Sequence, residues 1–258
     1  MLKEHRIKEI ENYVMKNENV SIDKLCSLFN VSKNTIRRDI AELEKKGLIK
    51  KVYGGITLNK KMDTIPFQER EIKNKGAKQI IAREASKLIQ DGDIIFIDSG
   101  TTTMHIIPFL SNKKNLTIIT NNVNVIVNSF PYENLNVLAT GGSLYRKTNS
   151  FIGIEAINFL KSYNISKCFM ASTGVSIEKG ITNSSSFEFE IKRFVTSQSN
   201  KVILLADNSK LEKVSLMTYC NLEDIDTFIT DGNVSKKYTD FFLENNIELI
   251  ISDNYQKK

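Results

Sequence analysis

The chain has 258 residues, with 36 Lys and Arg against 30 Asp and Glu, and its length allows two domains or one large domain with a small appendage. Three widely spaced cysteines and two histidines exclude a disulfide framework and argue against a structural zinc site, so we expect no metal and no cofactor. Because the N-terminus lacks a signal-peptide run and no segment approaches a membrane span, we expect a reduced, cytoplasmic protein without a membrane partner.

The excess positive charge lies at one end of the chain. Residues 1–61 contain 14 basic and 8 acidic side chains, whereas residues 62–258 contain 22 of each. A small basic region joined to a large neutral one is typical of a polyanion-binding module attached to a sensing, catalytic or assembly domain. Chance clustering of surface lysines is the alternative.

Apolar residues near the N-terminus repeat at the spacing of amphipathic helices. Ser21 and Ser32 stand where N-caps of a second and a third helix would, and Asn30 and Gly47 stand where these helices would end. Three helices within about 45 residues predict a helix-turn-helix. The predicted core positions are Ile7, Ile10 and Val14 in the first helix, Leu25, Cys26, Leu28 and Phe29 in the second, and Ile36, Ile40 and Leu43 in the third.

The third helix carries polar residues opposite its core face. Lys33, Asn34, Thr35, Arg37 and Arg38 are therefore predicted to look outward, where the second helix of a helix-turn-helix meets the major groove. Adjacent arginines lie about 100° apart around a helix, so we expect one to face bases and the other to face the phosphate backbone. For the arginine pair taken alone, an ordinary solvated helix is the alternative.

The stretch LIKKVYGGI predicts a short strand, Leu48 to Tyr53, that turns at Gly54 and Gly55. A basic β-ribbon with a glycine tip is the wing of a winged helix, and it is suited to lie along a phosphate backbone. The predicted DNA-binding residues are Ser21, Ser32, Lys33, Asn34, Thr35, Arg37, Arg38, Lys51, Tyr53, Gly54 and Gly55.

The run SIDKLCSLFNVSKNTIRRDIAELEKKGLIKKVYGG resembles the DNA-binding domain of the DeoR family of bacterial sugar-operon regulators, whose signature centres on TIRRDL and a GG wing. Two positions depart from that pattern: Ile40 replaces the usual leucine, and Tyr53 stands where the family often has histidine. The resemblance implies a transcriptional repressor that binds double-stranded operator DNA as a homodimer or homotetramer.

The rest of the chain predicts a second, larger domain. Residues 58–75 are polar, with Pro66 restricting its neighbour, and are predicted to be a linker between a winged helix-turn-helix at 1–57 and an effector-binding and oligomerisation domain at 76–258. In this domain short apolar runs alternate with helical patterns, which predicts a mostly parallel α/β sheet with helices on both faces. The predicted strands are 94–98, 116–120, 136–140, 167–172, 202–207, 226–230 and 247–252.

Small and polar residues gather where these strands end, in DSGTTT, TNN, TGG, STG and ADNSK. Such sheets bind ligands at the carboxyl ends of their strands, so we expect one shared pocket; ordinary strand-to-helix turns are the alternative for each stretch alone. The first turn suits a phosphate but has neither a Walker A nor a GxGxxG pattern, so a nucleotide is not favoured. The predicted effector-binding residues are Asp98, Gly100, Thr101, Thr102, Thr120, Asn121, Gly141, Gly142, Arg146, Lys147, Gly174, Asp207 and Lys210.

Charged side chains in this set predict the kind of ligand. Arg146, Lys147 and Lys210 bring positive charge to an anion, while Asp98 and Asp207 accept hydrogen bonds from hydroxyl groups. For the Arg-Lys pair a solvated loop is the alternative.

The second domain also resembles the effector domain of the DeoR family, which is similar in fold to ribose-phosphate isomerases. That resemblance implies a phosphorylated sugar or sugar-acid effector. The stretches FNVSKNTIRRDI, KVYGG, RKTNSFIG and TNSSSFEFEIK look most like the branch of regulators of myo-inositol catabolism, which implies a phosphorylated keto acid of that pathway.

Two other functions stay open at this point. A sugar-phosphate isomerase would need a carboxylate base, for which Asp98, Asp207 or Glu188 are candidates, but the basic N-terminal module argues against catalysis as the main role. An activator of the same family has the same sequence features as a repressor. His105, which follows the threonine loop, lies either on a helix surface or against the ligand.

Overall fold

The computed structural model describes residues 3–17, 19–45, 49–58 and 64–252, and it divides into two compact units, Met1–Asp63 and Thr64–Lys258. The first unit is a winged helix-turn-helix, as the sequence predicted. Its elements are α1 (Lys3–Asn17), β1 (Asn19–Ser21), α2 (Ile22–Phe29), α3 (Lys33–Lys45), β2 (Ile49–Val52) and β3 (Gly55–Leu58). The three strands form an antiparallel sheet with the order β1, β3, β2. Gly47 and Leu48, the predicted helix end and strand start, lie outside the described residues.

The predicted apolar stripes of the three helices form the core of the first unit, with one exception. Leu28 is 47% exposed, so its assignment to the core was wrong. Helix α2 turns Leu25 and Phe29 toward the core, and at 100° per residue Leu28 falls on the flank of that stripe. Cys26 packs against the core from a half-buried position. The buried residues are Ile7, Ile10, Val14, Val20, Leu25, Ile36, Ile40, Leu43, Ile49 and Ile56.

The second unit begins at Thr64, inside the segment 58–75 that was predicted to be a linker. Residues 64–75 contain a short helix, α4 (Phe67–Ile72), and the Phe67 side chain is buried in the core of this unit. The Phe67 amide donates to the Lys147 carbonyl at 2.9 Å, and the Thr64 hydroxyl donates to the Ser184 carbonyl at 3.2 Å. A polar composition hid this segment because only one side chain of α4 is buried.

A seven-stranded parallel sheet forms the centre of the second unit, and all seven predicted strands are present in it. They are β4 (Ile94–Ile97), β5 (Thr117–Thr120), β6 (Asn136–Ala139), β9 (Lys167–Ala171), β12 (Lys201–Leu205), β14 (Thr227–Asp231) and β15 (Glu248–Ser252). Their order across the sheet is β15, β14, β12, β9, β4, β5, β6.

Helices cover both faces of this sheet because both sets of alternating strand residues are apolar. Ile95 and Ile97 of β4 point into one core and Phe96 into the other. One core packs under α5 (Lys75–Lys87), a 3₁₀ helix (Thr103–Phe109) and α6 (Val123–Ser129). The other packs under α7 (Ile154–Leu160), α8 (Ser186–Gln198) and α9 (Lys236–Glu244). None of the helices in the described ranges has the length and apolar character needed to span a bilayer.

Smaller strands that the sequence did not predict complete the second unit. A hairpin of β7 (Ser143–Tyr145) and β8 (Ser150–Ile152) follows β6. A three-stranded antiparallel sheet contains β10 (Gly174–Ser176), β11 (Gly180–Asn183) and β13 (Met217–Cys220). Each has only three or four residues, which is too short for a clear alternating pattern.

Candidate DNA-binding surface and effector site

Helix α3 presents its arginine pair to solvent. Ile36 and Ile40 bury the opposite face, so Arg37 and Arg38 are both exposed. Within the described residues neither arginine forms an ion pair with a carboxylate. Asn34 is also exposed. Two guanidinium groups and an amide are therefore available on one helix to base edges and phosphates.

The two serines of the predicted DNA-binding set cap helices. The Ser21 hydroxyl accepts from the Lys24 amide at 3.1 Å, and the Ser32 hydroxyl accepts from the Thr35 amide at 3.3 Å. The Lys33 ammonium lies 2.6 Å from a carboxylate oxygen of Asp23, in an exposed ion pair that links α3 to α2. These contacts fix the start of α3, which is the part of a recognition helix that reaches base edges.

The wing places Tyr53 at its tip, where the side chain is fully exposed. Gly54 has a φ of +79°, and a Cβ on Gly55 would lie 2.4 Å from the Val20 carbonyl oxygen, so the turn requires both glycines. The Lys51 ammonium lies 2.5 Å from a Glu44 carboxylate oxygen, and this hydrogen bond lowers the pKa of Glu44. Lys51 therefore ties the wing to the end of α3 in the structure.

A buried ion pair, which the sequence analysis missed, fixes the orientation of α3 against α1. The Arg6 Nε lies 2.6 Å from one Asp39 carboxylate oxygen, and a terminal guanidinium nitrogen lies 3.3 Å from the other. Asp39 follows Arg38 directly, on the buried side of α3. The sequence signal that could have revealed this ion pair is an acidic residue, Asp39, at a core position of an amphipathic helix.

We expect Arg37→Ala and Arg38→Ala each to weaken operator binding by about 1–3 kcal/mol if the arginine contacts guanine. The arginine that contacts only phosphate is expected to weaken binding to all sequences alike and to reduce its salt dependence. Fluorescence anisotropy with operator and scrambled DNA at several salt concentrations measures both effects. Arg83→Ala on the exposed face of α5 is the matched control. Unchanged binding by both α3 variants would contradict the recognition-helix assignment.

In the second unit the chain order of the sheet reverses between β4 and β9, and sheets of this kind bind ligands at the carboxyl ends of such strands. Gly100 follows β4 there, and a Cβ on it would lie 2.2 Å from the Ala171 Cβ. Glycine therefore lets the loop after β4 pass close to the end of β9. Thr101 and Thr102 follow in this loop and are buried.

Asp98 lies beneath this loop in a buried ion pair with Lys192 of α8. The Asp98 side chain is fully buried and Lys192 is 3% exposed. The same Asp98 oxygen accepts from the Ala171 amide at 3.0 Å, and Lys192 also donates to the Ala171 carbonyl at 2.9 Å. In this structure Asp98 thus joins β4, β9 and α8, with one oxygen committed to these contacts.

Glu188, one turn before Lys192, accepts hydrogen bonds from hydroxyl groups of two separate segments. One of its carboxylate oxygens accepts from Ser99 at 2.6 Å and from Ser150 at 3.0 Å. Glu188 is 4% exposed. The residue that was a candidate base for an isomerase therefore links the β4 loop to the β7–β8 hairpin.

The ends of β5 and β6 supply the next part of the site. Thr120 donates to the Ile97 carbonyl at 2.6 Å, and the Asn121 amide donates to the Phe151 carbonyl at 3.2 Å. The Asn121 Oδ1 is buried and has no hydrogen-bond partner among the described residues. Gly141 and Gly142, with φ of +65° and +104°, turn the chain from β6 into the hairpin.

Three further members of the predicted effector-binding set lie in the β7–β8 hairpin and at the start of β10. Arg146 is exposed and Lys147 half-buried, and both lie in the turn between β7 and β8. Gly174 begins β10, where a Cβ would lie 2.4 Å from the Lys213 carbonyl oxygen. That close backbone approach gives Gly174 a packing role.

Asp207 and Lys210, at the end of β12, meet residues from the N-terminal segment of the unit. Asp207 accepts from the Asn74 amide at 2.9 Å and from the Ser209 backbone amide at 3.2 Å. Burial lowers the pKa of Lys210, against the opposing effect of Asp207. Asn74 lies within the predicted linker, so the sequence analysis missed it.

Arg70 of α4 and Lys78 of α5 add two cations to this group. The Lys78 ammonium donates to the Arg70 carbonyl, and Lys78 is 4% exposed. Besides burial, the charges of Lys210 and Arg70 both lower the pKa of Lys78, and the charge of Arg70 also lowers the pKa of Lys210. A terminal nitrogen of Arg70 is buried and without a hydrogen-bond partner among the described residues. We call Arg70, Lys78 and Lys210 the cation cluster.

His105 lies beside the cation cluster in a half-buried position. Burial, with smaller effects of the Lys75 and Lys78 charges, lowers its pKa to about 4. Its Nε2 is buried and unpartnered among the described residues. His105 is therefore half-buried beside Lys78, and its contact with a ligand stays a prediction.

We expect the stability of the second unit to depend on the charge of Lys78. Burial lowers the pKa of Lys78 from 10.5 to about 8. Between these two values the unfolded chain binds a proton that the folded chain does not, so the free energy of unfolding rises with pH in this interval. Relative to Lys78→Met, the wild type should gain about 2 kcal/mol between pH 7 and pH 9.5. Urea unfolding of both proteins at the two pH values measures the difference, and an equal change in both would contradict the lowered pKa.

Comparison with known proteins identifies both units. The model of the DeoR-like helix-turn-helix domain matches residues 6–62, and the model of the DeoR C-terminal sensor domain matches residues 73–232. The chain belongs to the DeoR family. Its two matched domains bind DNA and sense an effector, so this DeoR-family chain is a transcriptional regulator and not an enzyme.

Relatives of this DeoR-family chain align along almost its whole length. The HTH-type transcriptional regulator IolR of Bacillus subtilis is 43% identical over 94% of this chain and 96% of its own. The transcriptional repressor GlcR of the same organism is 30% identical over the full length of both chains. Among solved structures, ribose 5-phosphate isomerase A from Methanocaldococcus jannaschii covers 54% of this chain and 55% of its own, with 20% identity and a TM-score of 0.40. That likeness is too weak to carry an argument about activity.

Proposed function

We propose that the protein is a repressor of a carbohydrate-catabolic operon and that a phosphorylated sugar or sugar acid releases it from operator DNA. One observation carries the proposal: a single chain joins an exposed arginine pair on helix α3 to a sensor unit in which the buried Lys78 acts electrostatically with the half-buried Arg70 and Lys210. Exposed guanidinium groups suit DNA, and partly buried cations beside unpartnered polar atoms suit a small anion.

The inositol pathway is the proposed source of the effector. The support is the 43% identical relative named IolR and the TNSSSFEFEIK stretch, which contains Glu188 and Lys192 of the site. A phosphorylated keto acid carries negative charge that suits the cations of the sensor unit, and oxygen atoms that suit its amide and hydroxyl groups.

The proposed assembly is a homodimer or homotetramer. Two winged helices would then read half-sites about 34–36 Å apart, or a multiple of that distance. Sedimentation velocity with and without operator DNA gives the oligomeric state.

The deciding experiment is fluorescence anisotropy of the full chain on its own upstream DNA, titrated with inositol-pathway phosphates and then with common hexose and pentose phosphates. An effector that couples to DNA binding is expected to weaken it about 5–150-fold. Release by the keto-acid phosphate alone supports repression and the inositol pathway. Release by another sugar phosphate keeps the mechanism and rejects that pathway. Tighter DNA binding with every ligand would contradict release, and loss of salt-sensitive DNA binding would contradict the proposal as a whole.

A further inference from the structure

We propose that the cation cluster of Arg70, Lys78 and Lys210 binds the phosphate of the effector and that this contact couples the effector to α4, the first helix after the DNA-binding unit. The inference rests on the proposed function for the identity of the ligand as a phosphorylated compound. It goes further in assigning the phosphate to residues outside the loop after β4, and in naming the segment that responds.

The contacts of Arg70 leave one of its buried nitrogen donors available to an anion. Its Nε donates to the Ile65 carbonyl at 3.0 Å, and the guanidinium carbon lies 5.7 Å from the centre of the Phe67 ring. These contacts hold the group in place while one terminal nitrogen stays buried and unpartnered among the described residues. A buried donor without a partner costs free energy, and a phosphate oxygen would remove that cost.

The charges around Arg70 point the same way. Burial lowers the pKa of Arg70, although Glu188 and Asp98 oppose that shift. Burial likewise lowers the pKa of Lys78 and of Lys210, although Asp207 opposes it. In all three groups burial is the largest effect despite the neighbouring carboxylates, so a phosphate dianion would stabilise the protonated cations.

Phosphate is a better match for this cluster than a sugar hydroxyl. Arginine and lysine have only donors, so three cations recognise an acceptor with several oxygens. Acceptors for a sugar hydroxyl are present as well, because Asn121 Oδ1 is unpartnered among the described residues and the Asn121 amide contacts Phe151, next to the Ser150 that donates to Glu188. A ligand with phosphate at one end and hydroxyls at the other fits both groups.

The cation cluster also ties the ligand to a weakly held segment. Helix α4 has six residues, and Ile65 and Ile72 on either side of its buried Phe67 are 54% and 76% exposed. Helices this short depend on tertiary contacts for their stability. A phosphate on Arg70 would add such a contact. Helix α4 is the first helix after the DNA-binding unit along the chain, so its attachment is the change that a bound phosphate would transmit.

The test uses inorganic phosphate as the probe, with chloride at equal ionic strength as the reference, on the full chain. Phosphate is expected to raise the melting temperature and to slow amide hydrogen exchange in residues 64–78. Arg70→Gln and Lys210→Gln are each expected to weaken phosphate binding by about tenfold or more. Arg83→Gln, an exposed cation on α5, is the matched control and should bind phosphate like the wild type.

Each outcome separates this inference from the proposed function. Protection at 64–78 that disappears in both variants supports the cluster. Phosphate binding that is unchanged in Arg70→Gln and Lys210→Gln, or protection only in residues 98–103, overturns it and leaves effector-controlled repression standing. No binding of phosphate by the wild type also overturns it. Failure of DNA binding in the anisotropy experiment would reject the proposed function, and the phosphate measurements do not depend on that result.

Discussion

Replacement of Arg6 by methionine is expected to destabilise the DNA-binding unit by about 3–5 kcal/mol, because it leaves the Asp39 carboxylate uncompensated in the core. Asp39 is 1% exposed and the Arg6 side chain 10%. A unit of about 60 residues has only roughly 3–9 kcal/mol of stability in total. Operator binding should therefore fall in proportion to the unfolded fraction, although Arg6 lies on α1 and the predicted DNA-contacting arginines lie on α3.

Hydrogen exchange of residues 3–58 in the full chain, followed by anisotropy with operator DNA, measures the effect of Arg6→Met. Lys3→Met is the matched control, since Lys3 also joins α1 to α3 but through an exposed pair with Glu42. Such surface pairs contribute about 0–1 kcal/mol. The double variant Arg6→Met with Asp39→Leu removes both charges and should recover much of the stability. Normal exchange rates in the single variant would show that Asp39 finds another partner.

The second large effect is expected for Lys192→Met in the sensor unit. Asp98 would keep its hydrogen bond from the Ala171 amide but lose the only cation in direct contact with it among the described residues. Removing one partner of a buried pair costs about 3–5 kcal/mol. In a domain of this size that loss lowers the melting temperature by about 6–20 °C.

Scanning calorimetry of three variants tests the Lys192 prediction. Lys201→Met breaks an exposed pair with Asp226 and should change the melting temperature little. Lys192→Met combined with Asp98→Asn keeps an acceptor for the Ala171 amide without the charge, so it should be more stable than Lys192→Met alone. A single variant as stable as the wild type would contradict the stabilising role of the Asp98–Lys192 pair.

Local pattern was enough to predict the elements that bury apolar residues at a regular period. The three helices around Ile10, Leu25 and Ile36 and the seven strands of the sheet all have such a period, and their predicted positions were confirmed. The exposed positions of Arg37 and Arg38 followed from the same period. Leu28 failed because an eight-residue helix leaves too few positions to fix the centre of its buried face.

Contacts between distant parts of the chain were not predictable in the same way. Arg70 and Lys78 looked like ordinary charges of a polar segment, and only the fold brings them to Lys210, more than a hundred residues later. Lys192 looked like a surface lysine of an amphipathic helix until the sheet placed Asp98 beneath it. Charged residues have no periodic signature of burial, because their partners lie on other elements.

The order of strands in the sheet also determines how long each strand remains unpaired during synthesis of the protein. The ribosome releases the DNA-binding unit first, and all its strand partners lie within the first 58 residues. Strand β4 pairs with β9, which ends 74 residues later at Ala171. At a synthesis rate of about 5–20 residues per second, the ribosome completes β9 roughly 4–15 s after β4. During that interval the edge of β4 that later pairs with β9 has no partner, although the DNA-binding unit is already synthesised. Unpaired strand edges favour aggregation, so the nascent chain is most prone to aggregate in that window.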